Sequence, residues 1–285
     1  MAINFLPLFS LAFAITTGFP SSAFPEAPHA GLSHTYSTRS TINNRNTNTT
    51  TCPKIHIIAA RETTAPPPFG STMTLVDLFL RVFSPSVTAE AIDYPAAGGE
   101  AYSASVAAGI AAVVRQTREF VERCPGSQVV MHGYSQGAQI MDDAFCGGPD
   151  LPSLNSTGRR LVSAAVANST AAIILMGNPR HVDGLPFNVG NATAGGFAAR
   201  PVGFRCPEFQ DRIQAYCDSP DPFCSNGSDP ATHQGYGQEF GQDALQFVIS
   251  KMAVSSPGIQ SDASGVRIYV IMFFVYALAE YLYRN

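Results

Sequence analysis

Between Cys52 and Met252 the chain alternates short, continuous apolar runs with longer segments whose apolar residues recur every three or four positions. "KIHIIAA" (Lys54–Ala60), "AEAIDYPA" (Ala89–Ala96), "SQVVMH" (Ser127–His132) and "AAIILMG" (Ala171–Gly177) read as four short strands. In "ASVAAGIAAVVRQTREFVERC" the residues Val106, Ile110, Val113, Val114, Phe120 and Val121 fall near helical spacing. A second helix is predicted from about Gln136 to Phe145, and a last amphipathic one over "GQEFGQDALQFVISKM". Strands that alternate with helices predict a parallel sheet covered on both faces. No internal repeat is present.

The two ends differ from this core. Residues 1–23 read as a secretory signal, with an apolar run from Phe5 to Ile15 and small residues from Ser21 to Ala23. The segment before the run has no Lys or Arg, and a buried helix is the competing reading. Residues 24–51 are polar and without period, as expected of a linker. A domain at 52–253 follows, then a polar linker at 254–265 and a hydrophobic tail at 266–283, broken only by Arg267 and Glu280. The tail is marginal in length for a membrane span. Ser261, Ala263, Ser264 and Gly265 before it resemble a glycolipid-anchor signal with a short spacer. A membrane tail and a gene-model error are the other readings, so the tail offers a route to membrane or wall anchoring.

Composition narrows the class. Hydrophobic residues make up 45% of the 285 positions and charged residues only 13%, enough apolar material for a sizeable core. The net charge of −4, with no basic run, argues against a nucleic-acid partner. Six cysteines are compatible with three disulfides in an oxidising compartment. Sequons at Asn48, Asn155, Asn168, Asn191 and Asn226 fit a secreted glycoprotein. No cysteine pair has zinc-site spacing, so no metal is expected. The chain has no Trp and no Cys- and aromatic-rich appendage of the kind that binds polysaccharide.

The candidate chemistry lies at Gly133-Tyr134-Ser135-Gln136-Gly137, a G-x-S-x-G pattern between a predicted strand and a predicted helix. A nucleophile there sits on a strained turn with its Oγ above the sheet. Glycines are needed where a side chain would collide with neighbouring backbone. The N-terminal amides of the following helix, Gln136 first, face the developing oxyanion. A serine also needs a base. His29 and His34 fall in the linker, and His56 and His132 in strands. The order Ser, acid, His favours His233 over His181. Asp211, Asp218, Asp221 and Asp229 all lie between Ser135 and His233. Spacing does not separate Asp218 from Asp221, which share the segment between Cys217 and Cys224.

"CPKIHIIAARETT", "GYSQGAQIMDDAFCGG", "GGFAARPVGF" and "YCDSPDPFCSNGSDPATHQGYGQEFG" together resemble fungal acetylxylan esterases of the cutinase superfamily, over about 200 residues from Cys52. The resemblance implies a three-layer α/β/α sandwich around a five-stranded parallel sheet. It implies Ser135 as nucleophile, Asp221 as acid, His233 as base, and Thr63 beside Gln136 in the oxyanion hole. It also implies disulfides Cys52–Cys124, Cys146–Cys206 and Cys217–Cys224. Some relatives carry two further bridges; the corresponding positions here include Ala192 and Ser225, so both members of that bridge are absent, and Phe223 stands where relatives often have Tyr.

The expected activity is removal of acetyl groups from acetylated xylan through an acetyl-enzyme, by a secreted monomer without a cofactor. A cutinase-like esterase on longer aliphatic esters is the alternative. A non-catalytic, anchored binding protein is a third reading, against which the full set of candidate catalytic residues argues.

Overall fold

The computed structural model describes residues 51–147 and 160–254. The signal at 1–23, nearly all of the 24–51 linker, the segment at 255–265, the tail at 266–283, His29, His34, Asn48 and Asn155 lie outside the described residues. The elements run β1 (Ile55–Ala60), α1 (Met73–Phe83), β2 (Val87–Ala91), α2 (Tyr102–Arg123), β3 (Gln128–Tyr134), α3 (Gln136–Cys146), α4 (Ala164–Ser169), β4 (Thr170–Met176), β5 (Asn188–Val189), β6 (Ile213–Tyr216), α5 (Pro230–Glu239) and α6 (Gly241–Val254). The strands form one parallel sheet in the order β2-β1-β3-β4-β6-β5.

The sheet therefore has six strands, not the five implied by the resemblance. The additions to the four read from the sequence are β5 and β6. β5 is two residues long, too short to carry any periodicity. β6 is the four-residue "IQAY", held because it pairs with β4 and not because its own pattern demands it. The single terminal helix expected over Gly237–Met252 is instead two. α5 begins on Asp229, whose carboxylate accepts from Ala231 N, with Pro230 at the first helical position. It stops at Phe240, and α6 starts on the next residue. α1 was not anticipated, yet its buried Leu75, Val76, Phe79 and Leu80 fall on one helical face.

Alternate residues of each central strand enter two separate cores, which is why the runs are apolar throughout. Ile58, Ala60, Val129, Met131, Ile173 and Leu175 pack with α2, α3 and α4 on one face. Ile57, Ala59, Val130, Ala172, Ile174 and Met176 pack with α1, α5 and α6 on the other. The three disulfides join Cys52 to Cys124, Cys146 to Cys206 and Cys217 to Cys224.

Because every strand runs the same way, the segments leaving β1, β3, β4 and β6 emerge at one edge, where ligands of open α/β sheets bind. A buried charge cluster fixes part of that edge. Arg180 Nε lies 2.9 Å from Asp143 Oδ1, and Arg200 Nη2 lies 2.7 Å from Asp142 Oδ1 and 3.0 Å from Asp143 Oδ1. Asn178 Nδ2 donates to Asp142 Oδ2 at 2.7 Å. The cluster ties the segment after β4 to the body of α3. Replacing one carboxylate leaves a buried guanidinium without that counter-charge, so Asp143→Asn is expected to cost about 3 kcal/mol. Denaturant titration checks this, and a loss below about 1 kcal/mol contradicts it.

Candidate active site

Ser135 caps α3 with φ 52° and ψ −118°, a region that non-glycine residues rarely occupy. Two glycines make the turn possible. A Cβ on Gly133 would lie 2.4 Å from Gly137 O, and one on Gly137 would lie 2.0 Å from Ala60 O. The N-terminus of α3 therefore rests directly on the end of β1. Ser135 N donates to Met176 O at 2.8 Å, which fastens the turn to the end of β4.

The same approach brings Gln136 against Thr63, three residues past β1. Gln136 Nε2 donates to Ala97 O at 2.9 Å and to Thr63 Oγ1 at 3.3 Å. Its Oε1 accepts from Ser105 Oγ at 2.8 Å, and that hydroxyl in turn accepts from Ala97 N at 2.9 Å. With Thr63 Oγ1 accepting from the amide, its own proton is left to donate elsewhere. Thr64 and Ala96 both have positive φ, and Thr64 N donates to Ala96 O at 2.7 Å, so the two loops are locked together. The backbone N–H groups of the first turn of α3 have no acceptor within the helix.

Asp221 and His233 meet directly. His233 Nδ1 is 2.7 Å from Asp221 Oδ2, which also accepts from Tyr236 Oη at 2.8 Å. Asp221 Oδ1 accepts from Phe223 N at 2.6 Å and Cys224 N at 3.1 Å. Burial alone would raise the pKa of this carboxyl. The hydrogen bond and charge of His233, with the amides of Phe223 and Cys224, outweigh burial and hold it below the ordinary carboxylate value. Imidazole and serine flank the same strand end. The His233 ring lies against Gly177, the residue after Met176, and its backbone carbonyl accepts from Tyr134 Oη at 2.6 Å.

The competing candidates are engaged otherwise. Asp218 Oδ1 accepts from Asn191 N at 2.9 Å, and Asp218 N donates to Tyr236 Oη at 2.9 Å, so Asp218 pins a loop. His181 Nδ1 is 3.0 Å from Ala194 O, and burial lowers its pKa. His56 Nδ1 pairs with Thr88 Oγ1 at 2.8 Å, and its ring stacks on Phe120. His132 is wholly buried in β3, which lowers its pKa to about 4. Asp211 lies in a single helical turn before β6, and Asp229 caps α5.

Three contributors went unread in the sequence: Ser105, Tyr236 and Gly177. Gly177 has φ +59°, and a Cβ there would lie 2.7 Å from His233 Cε1 and 2.8 Å from Nδ1. Gly177→Ala should therefore displace the imidazole. The rate at which a serine-directed fluorophosphonate labels Ser135 is expected to fall about 100-fold, as an ångström of misplacement does elsewhere. An undiminished rate in the folded variant contradicts the assigned position of the ring.

Comparison with known proteins agrees with this architecture. The cutinase family model matches residues 51–252. A protein named Cutinase 11, from Verticillium dahliae, is 51% identical over 208 residues, covering 70% of each chain. Acetylxylan esterase 2 of Talaromyces purpureogenus is 50% identical over 208 residues, covering 70% of this chain and 88% of the relative. The solved catalytic core domain of acetyl xylan esterase from Trichoderma reesei is 47% identical, with a TM-score of 0.68 over 70% of this chain and all of that one. A family match running from before β1 into α6 takes in the whole sheet and the serine turn, and the chain belongs to the cutinase family.

Proposed function

We propose that the protein is a secreted serine esterase that removes acetyl groups from acetylated xylan. The observation that carries the proposal is the 2.7 Å Asp221–His233 pair, set beside the strand end to which the strained Ser135 is bonded. His233 Nδ1 is occupied by Asp221, which leaves Nε2 as the nitrogen that serves the serine. The serine Oγ attacks the ester carbonyl carbon as its proton passes to Nε2. The carbonyl electron pair moves onto oxygen, stabilised by Gln136 N–H and Thr63. The tetrahedral species collapses, and the sugar oxygen leaves with the proton from His233. Water then attacks the acetyl-serine, giving its proton to His233. Collapse expels acetate, and Ser135 regains the proton. Asp221 stays ionised and holds the imidazole in the required tautomer.

Two relatives named for acetylxylan support the substrate, at 50% and 47% identity. The similarity to a protein named cutinase supports a second reading, an esterase for longer aliphatic acyl groups. Secretion is supported by three disulfides within a small domain. Exposed Asn168, Asn191 and Asn226 are available for the proposed glycans.

Ser135→Ala is expected to lower kcat by about 10⁴-fold or more, and Thr63→Val by about 100-fold, with thermal unfolding little changed. An alanine variant that releases acetate at the parental rate ends the catalytic assignment. Rates on acetyl and octanoyl esters of one alcohol separate the two substrate readings. Acetyl should be preferred, and a clear octanoyl preference contradicts the acetylxylan reading.

A further inference from the structure

Large exposed apolar side chains are few among the described residues: Leu161, Phe197, Val202 and Phe223. The two aromatic ones lie on segments hydrogen-bonded to each other, one of them beside the candidate base. Phe223 is 40% exposed, and its ring centroid lies 4.5 Å from that of His233. Phe197 is 57% exposed, yet its backbone N donates to Phe223 O at 3.1 Å. The ring of Phe197 meets Tyr102 edge-on, with centroids 5.6 Å apart. Tyr102 Oη donates to Gln139 Oε1 at 2.6 Å, and Gln139 N donates to Ser135 O. Phe223 thus lies beside the base, the backbone bond joins Phe197 to Phe223, and Tyr102, which the Phe197 ring meets, is tied to the first turn of α3.

The segment carrying Phe197 is tightly fixed. Gly196 N donates to His181 O at 3.0 Å and Ala198 N to Pro179 O at 3.2 Å. A Cβ on Gly196 would lie 2.4 Å from Pro179 O and 2.8 Å from Phe223 O, so only glycine lets the segment lie this close. A phenylalanine held in the open by such a scaffold leaves apolar area unburied that the fold makes no use of.

We infer that Phe197, supported by Tyr102 and adjoining Phe223, is a stacking platform for a sugar ring of the polysaccharide whose acetyl group reaches Ser135. This rests on the acetylxylan reading and names the part of the site that holds the sugar. The C–H bonds on a pyranose face carry partial positive charge and meet the negative face of an aromatic ring. A long acyl chain calls for an extended aliphatic surface instead. Among the described residues the large exposed aliphatic ones are Leu161 and Val202, and neither is hydrogen-bonded to Phe197, Tyr102 or Phe223; Leu161 N bonds Ala144 O near the far end of α3.

The test compares the parent with Phe197→Ala, Phe197→Leu and Phe197→Trp, on acetylated xylooligosaccharide and on a small acetate ester without a sugar. Alanine and leucine should each raise KM for the oligosaccharide about tenfold, with kcat within a factor of two. The ratio of kcat/KM on oligosaccharide to that on the small ester should fall by the same factor. Tryptophan should keep KM near the parental value. A parent that deacetylates the oligosaccharide, joined to an alanine variant with unchanged KM, overturns the platform alone. A leucine variant that behaves like the parent also overturns it, because apolar bulk and not an aromatic face is then sufficient. A parent that releases no acetate from the oligosaccharide overturns the substrate reading and the platform with it.

Discussion

The site depends on one close approach, that of the first turn of α3 to the end of β1. Gly137 comes so near Ala60 O that a methyl group there would overlap it, and a Cβ on Gly133 would lie only 2.4 Å from Gly137 O. Neither contact can be relaxed without moving the helix off the sheet. The consequence for Ser135 is a backbone conformation that costs of order 1–3 kcal/mol and survives only because its surroundings fix it. The consequence for Gln136 is a side chain that reaches Thr63 and the loop at Ala97 together. Serine, first helical amide and threonine hydroxyl are thus gathered by packing, before any substrate arrives.

The opposite wall is fixed by electrostatics. Asp221 is fully buried, and its two oxygens receive hydrogen bonds from two backbone amides, a tyrosine and an imidazole. A buried carboxylate so satisfied stays charged, and a fixed charge orients the ring beside it. The Cys217–Cys224 bridge closes the loop that carries Asp221. Asp142 and Asp143 bind Arg200 and Arg180 behind this wall, so the same helix that follows Ser135 also anchors the segment bearing Phe197.

What the sequence revealed follows the reach of each interaction. Ser135, Gln136 and their glycines are consecutive, so a local turn writes itself as a local motif. His233 was reachable only through chain order, and the roles of Asp221 and Thr63 only through resemblance. Asp218 and Asp221 differ by which partners face them, Asn191 for one and His233 for the other, and no spacing encodes that. Long apolar strands such as β3 and β4 declare themselves, whereas β5 and β6 exist through pairing with neighbours distant in sequence. Ser105 and Tyr236 act across 31 and 15 positions, as a hydroxyl on one helix and a phenol on another. α1 is not legible in the sequence, because a dense apolar run hides the period of Leu75, Val76, Phe79 and Leu80.

The most direct test of this account is a crystal structure of the protein after reaction with an alkyl phosphonate. The expected result is a covalent bond from Ser135 Oγ to phosphorus, with one phosphonyl oxygen about 3 Å from both Gln136 N and the Thr63 donor, and His233 Nε2 turned toward Oγ. An adduct on another residue contradicts the account. So does an adduct on Ser135 whose phosphonyl oxygen points away from Gln136 and Thr63.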